Sequence, residues 1–221
     1  MNIENIFRTF YTQSKIVRYD GNKYVKKCYG SNVSLKWFFI TPLFRSYPYV
    51  ADPNERMRRE IDFLTNPWKG ISVPRLIDFD FSENCIVREF IEGKIPATIQ
   101  DFKLLGKTLR NIHDSGFAMG DTKFENFLIN DSVYVIDAEQ AIKTDSKEYR
   151  AWDLAVFVLF LSYKFLYEIG EYENILREFL ISYSPTKEEL LYINNLKNIA
   201  LLSLFPPLHL NILKKTIGEL L

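Results

Sequence analysis

The sequence predicts an α+β fold with two lobes, strand-rich up to residue 92 and helical from residue 93. Two observations predict it. Alternating runs bounded by turn signals crowd the first 91 residues, and helical periodicity dominates after residue 99, with no repeat or low-complexity tract between. A chain of 221 residues can bury one core, or two small lobes sharing a cleft, and is short for two independent domains. One domain over 1–221 is therefore expected, with lobes at 1–92 and 93–221.

The elements follow in order. Residues 16–29 alternate around Asp20-Gly21-Asn22, a turn signal between two strands, the second of them Lys23 to Tyr29. Residues 31–51 are aromatic and irregular, and no element is assigned there. Asp52 then caps a helix, Pro53 suits its first position, and Glu55 stands where a capping box wants an acid. Met57, Ile61 and Leu64 form its apolar stripe, and Asn66-Pro67 ends it. A strand over 75–79, a turn at Ser82-Glu83-Asn84 and a strand from Cys85 to Ile91 come next, closed by Glu92-Gly93. A helix with Phe102, Leu105, Leu109 and Ile112 on one face ends at Gly116. Beyond it lie a loop (118–126), a short strand (127–129), a turn at Asn130-Asp131 and a strand from Val133 to Ile136. From Trp152 the pattern is helical, interrupted at Ser184-Pro185 and Pro206-Pro207.

Composition excludes several functions. Hydrophobic residues make up 47% and charged residues 25%, and the 15% of aromatics argues against disorder. Lys+Arg and Asp+Glu balance at 28 each, so no net field draws the chain to nucleic acid or an anionic membrane. Arg56, Arg58 and Arg59 with Lys26 and Lys27 could supply a local basic patch but read first as a solvated charged face, and direct nucleic-acid binding is not indicated. Cys28 and Cys85 give neither a disulfide framework nor a zinc site, which suits a reducing cytoplasm. Met1 to Asn5 carry no leader pattern, and Leu154 to Leu161 falls short of a membrane span, so the expected location is cytoplasmic.

The chemistry sits in Gly120-Asp121-Thr122-Lys123-Phe124-Glu125-Asn126, followed by Val133-Tyr134-Val135-Ile136-Asp137. Phosphoryl transfer needs a carboxylate to orient the attacking hydroxyl, oxygen ligands for Mg²⁺, and a cation against developing charge. Asp121 and Asn126, five apart on one loop, can face a common metal and substrate. Asp137, ending an apolar strand, is held beside them, and Lys123 can reach the moving phosphate.

That segment resembles the catalytic loop of the protein-kinase superfamily, where Asp-Leu-Lys-Pro-Glu-Asn precedes a strand closing in Asp-Phe-Gly. The similarity covers most of residues 16–165. Arg56-Met57-Arg58-Arg59-Glu60 through Gly70-Ile71-Ser72-Val73-Pro74 resembles the RIO kinases and the small kinase subunit of the KEOPS tRNA-modification complex. The resemblance implies a bilobal kinase-like fold, with ATP and Mg²⁺ as cofactors. Val87 to Gly93 looks like the hinge between lobes, whose backbone at Glu89, Phe90 and Ile91 would meet adenine. Asn126 and Asp137 would hold Mg²⁺. Glu60 would pair with a strand lysine, and it points the way its apolar stripe points. The partner is Lys26, which the resemblance favours because Val25 precedes it, or Lys27; adjacent strand residues face opposite ways, so only one can enter the cleft. Asp153 would accept hydrogen bonds from the catalytic-loop backbone, or serve as a plain N-cap.

Four departures stand out. Met119 replaces a bracing His or Tyr. Ala138-Glu139 follows Asp137 in place of Phe-Gly, offering Glu139 as an additional metal ligand. Tyr11-Thr12-Gln13-Ser14 occupies the region of a Gly-rich loop. Only fifteen residues lie between Asp137 and Asp153, too few for a long activation segment. The expected function is an atypical Ser/Thr kinase acting on a protein hydroxyl, with a place in a protein complex and no membrane association. A small-molecule kinase for a sugar, amino alcohol or glycan is the second reading, and a nucleotide-binding pseudokinase the third.

Overall fold

A computed structural model describes residues 13–30, 44 and 46–221. The leader reading at Met1 to Asn5, the positions Tyr11 and Thr12, and most of the irregular stretch 31–51 lie outside the described residues.

The first hairpin forms as expected, from β1 (Ser14–Tyr19) and β2 (Asn22–Cys28). Asp20 and Gly21 at the turn both have positive φ, 48° and 76°, the twist-matched geometry that joins two strands with two residues. β3 (Leu76–Asp80) and β4 (Cys85–Glu89) complete an antiparallel sheet of order β1-β2-β4-β3. Between the hairpins runs α1 (Pro53–Leu64). The Asp52 side chain accepts from the Glu55 N–H at 2.8 Å, so the cap read from the sequence is made.

The helical half begins with α2 (Ile99–Asp114), opened by a Thr98/Asp101 capping box. β5 (Phe117–Ala118) follows, then a single 3₁₀ turn (Phe124–Asn126), β6 (Phe127–Ile129) and β7 (Val133–Val135), an antiparallel pair. β8 (Ile142–Lys143) returns to pair with β5. Two residues are too short for a periodicity signal, so β8 could not be read in advance. Five helices close the chain: α3 (Lys147–Lys164), α4 (Ile169–Tyr183), α5 (Lys187–Ile193), α6 (Ile199–Leu202) and α7 (Pro207–Leu220). α3 starts five residues before Trp152, because the Ser146 hydroxyl accepts from the Tyr149 N–H and caps it there.

Two apolar clusters correspond to the two halves. Tyr29, Met57, Leu64 and Ile86 bury one another between α1 and the sheet. The larger cluster fills the helical half, with α3 at its centre; Phe157 on α3 stacks on Phe179 of α4 at 4.0 Å. Phe63 of α1 belongs to this second cluster, edge-on to Phe117 at 5.4 Å. Reciprocal backbone bonds between Lys94 and Ile129, 3.0 and 2.8 Å, tie the connection between the halves to β6.

Two expectations are corrected. Cys28 and Cys85 are joined by a disulfide, because antiparallel pairing of β2 with β4 sets them directly opposite each other. Arg56 and Lys27 are not a solvated face: both are buried, 0% and 2% exposed, each against carboxylates. Among the described residues no helix is long and apolar enough to cross a membrane.

Candidate active site

A cleft of about 280 Å³ opens between the sheet and the helical half. Its wall includes Lys27, Phe90, Ile91, Asn126 and Asp137 among the candidate residues; Lys26, Glu60, Glu89, Asp121 and Lys123 stand outside the lining. The roof carries Ile16 and Val25 from the first hairpin, and the floor Leu128 and Ile136 from β6 and the end of β7.

Strand alternation decides which lysine enters. Val25, Lys27 and Tyr29 are buried on one face of β2, whereas Lys26 is exposed on the other. The partner of Glu60 is therefore Lys27 and not Lys26. Lys27 Nζ lies 2.5 Å from Glu60, 2.9 Å from Asp137 and 3.4 Å from Glu139. Burial alone would depress an ammonium, but Asp137, Glu60 and Glu139 together raise the Lys27 pKa, so it stays charged. Burial pushes Glu60 up, against the pull of Lys27, and the Tyr29 hydroxyl donates to the same Glu60 oxygen at 2.7 Å.

Glu139 has cations against both of its oxygens. Its oxygens face the Arg56 guanidinium at 3.2 Å and Lys27. Oxygens of Glu60, Asp137 and Glu139 gather within 4.8 Å of one another, and the cation at their centre is Lys27 itself.

Asp137 is different, since its side chain is 31% exposed. Burial would raise its pKa, but Lys27 and then Lys123 overcome this and hold it at about 2. One oxygen, Oδ1, accepts from Lys27 and from the Glu139 N–H. Asn126 donates its Nδ2 to the Asp121 carbonyl at 2.7 Å, which leaves the amide oxygen as the atom for a cation. A carboxylate and an amide oxygen on one cleft wall are the hard donors Mg²⁺ takes, so the residues fit that ion. Lys123 pairs with Asp121 at 3.2 Å. Burial lowers the Lys123 pKa, yet the charges of Asp121 first and Asp137 next raise it.

Asp153 carries the loop. Its Oδ2 accepts from the Met119 N–H at 2.6 Å and from His113 Nε2 at 2.9 Å, and its Oδ1 from the Gly120 N–H at 2.7 Å. It lies two turns into α3, so the plain N-cap alternative fails.

The sequence reading missed a second brace. From the stretch before α1, the Tyr49 hydroxyl donates to the Gly120 carbonyl at 2.5 Å, and the Tyr47 hydroxyl lies 3.0 Å from the Ala118 carbonyl and 2.9 Å from that of Gln140. Gln140 in turn exchanges two hydrogen bonds with the Val50 backbone. These tyrosines hold the carbonyls of the loop that Asp153 holds by its amides, and so stand in for the bracing group Met119 lacks. Gly120 has φ +76°, and a Cβ there would meet the Tyr47 ring at 2.3 Å. Gly120→Ala is expected to cost at least about 2 kcal/mol, from the left-handed backbone and the clash together. Thermal unfolding of that variant checks the loss; an unchanged midpoint would remove the brace.

Fold and site together define a two-lobed α+β protein with a cleft between its sheet and its helical half. No family model matches the chain. It is similar to two curated proteins named probable bifunctional tRNA threonylcarbamoyladenosine biosynthesis proteins. The one from Methanococcus maripaludis is 31% identical over 93 residues, 39% of this chain and 17% of that relative. The one from Thermoplasma acidophilum is 32% identical over 90 residues, 38% of this chain and 17% of the relative. The chain thus matches about a sixth of the length of these relatives. Among solved structures, it is similar to WaaP in complex with acyl carrier protein, with a TM-score of 0.47 and 14% identity over 94% of this chain and 84% of that one. WbdD with the kinase inhibitor LY294002 gives 0.41 and 16% over 79% of this chain and 44% of that one. Both scores lie under 0.5, and nothing about the chemistry rests on them.

Proposed function

We propose that the chain is an ATP- and Mg²⁺-dependent phosphotransferase, and that it acts as an atypical Ser/Thr protein kinase. The observation that carries this reading is the buried Lys27, joined to Glu60 on one side and Asp137 on the other, at the wall of a cleft that also presents Asn126. Lys27, oriented by Glu60, holds the α- and β-phosphates. Asn126 and Asp137 would hold Mg²⁺, which would supply positive charge against the phosphates. Asp121 orients the acceptor hydroxyl and takes its proton, and Lys123 neutralises the group in transfer. The backbone of Glu89, Phe90 and Ile91 meets the base. The match to proteins of tRNA threonylcarbamoyladenosine biosynthesis supports a place beside other proteins of such a modification.

A small-molecule acceptor is the second reading. Ala138, Glu139, Gln140 and Ala141 are all buried, so the four residues that follow Asp137 offer a peptide no exposed surface.

Transfer of labelled γ-phosphate to protein fractions and to a panel of metabolites separates the two readings. Asp121→Ala and Asp137→Ala are each expected to lower the rate by at least about 10²–10³-fold with the fold intact. Retention of activity in either variant would overturn the assignment.

A further inference from the structure

Beside Phe90 and Ile91 the cleft wall holds a further cation, Arg88, whose charge also reaches Glu60. Arg88 lies on β4, opposite Val25 of β2, with its side chain 5% exposed and forming part of the cleft wall. Its neighbours there, Val25, Phe90, Ile91, Leu128 and Ile136, make an apolar slot suited to a flat ring. The guanidinium donates from Nη2 to the Ile136 carbonyl at 3.0 Å, and from Nη1 to the Glu89 carbonyl at 3.5 Å, a long bond. Its Nε is buried with no partner among the described residues. Resting on the nucleotide reading above, we infer that Arg88 lets the slot accept guanine as well as adenine, so that GTP serves as phosphate donor beside ATP.

The inference follows from what each partner can donate. A guanidinium has donors and no acceptor, and a buried donor gains most from an acceptor brought to it. On the edge formed by N7 and C6, adenine offers one acceptor, N7, and one donor, its 6-amino group. Guanine offers two acceptors there, O6 and N7, the pair that arginine takes in two-point fashion. A 6-amino group against Arg88 sets donor against donor and must turn to a main-chain carbonyl. At Glu89 that carbonyl already receives Nη1. A 6-oxo group meets no such conflict.

The test is binding of Mg·ATP and Mg·GTP to the full chain by calorimetry, for the wild type, Arg88→Met and Arg88→Lys. In the wild type the GTP dissociation constant is expected within about tenfold of that for ATP. Arg88→Met should move the preference toward ATP by at least about tenfold, and Arg88→Lys by less, since it keeps a charge but loses the two-point geometry. A wild-type preference for ATP above about 100-fold, or a preference that Arg88→Met leaves unmoved, overturns the inference while nucleotide binding stands. Binding of neither nucleotide by the wild type overturns the nucleotide reading, and this inference with it. Should Arg88→Met fail to fold, the wild-type ratio and Arg88→Lys still decide.

Discussion

Lys27→Met is expected to abolish measurable phosphate transfer, a loss of at least about 10²–10³-fold, whereas Lys26→Met on the next residue should stay close to wild type. The contrast comes from one step of strand geometry. Lys27 faces the cleft with Val25, and Lys26 faces solvent between Lys15 and Val87 on the neighbouring strands. Loss of the Lys27 ammonium also leaves Glu60 and Glu139 buried with less compensation, and removing one partner of a buried pair costs about 3–5 kcal/mol. Activity and thermal midpoint must therefore be read together. The double variant Lys27→Met with Glu60→Gln removes the stranded charge, so it should regain part of the stability and none of the rate. A Lys27→Met protein that is well folded and active would end the assignment.

Asp153→Ala should lower stability by at least about 3 kcal/mol, or roughly 10 °C in a chain of this size. Three buried donors lose their acceptor at once: the amides of Met119 and Gly120 and the ring of His113. Each would have to stay unpaired or admit water to a region that is closed in the native fold. Asp153→Asn should fall between, since its amide oxygen can keep one donor while its NH₂ confronts another. Denaturant unfolding of the three proteins checks the order. Equal stability for Asp153→Ala and the wild type would show that the loop is held elsewhere.

Local patterns carried most of the fold into view. The Asp20-Gly21 turn, the Asp52 cap and the Phe102-Leu105-Leu109-Ile112 stripe each depend on residues a few positions apart, and each appears where the sequence puts it. The loop from Asp121 to Asn126 and the strand into Asp137 were legible for the same reason. What stayed hidden depends on pairing across long separations. The choice between Lys26 and Lys27 could not be made because both faces of this strand region carry an aromatic residue, Tyr24 on one and Tyr29 on the other; burial of one face and the contact with Glu60 tell them apart. Cys28 and Cys85 are 57 residues apart, and no pattern in the sequence states the register that sets them opposite. Arg56 sits in a run of arginines that looks solvated until Glu139, 83 residues on, is brought against it. Tyr47 and Tyr49 lie in a stretch without periodicity, and their partners are more than 70 residues away.

The divided packing of α1 has a consequence for control. Met57 and Leu64 anchor the helix to the sheet, while Phe63 anchors it to the helical half beside Trp68 and Phe117. Swinging it outward would bring Phe63 into water at roughly 1.5–3 kcal/mol, before any cost of parting Glu60 from Lys27. The resting protein therefore already holds its ion pair in the engaged position. Its output would be set by how much nucleotide and acceptor reach the cleft, not by a helix that has to be pushed home first.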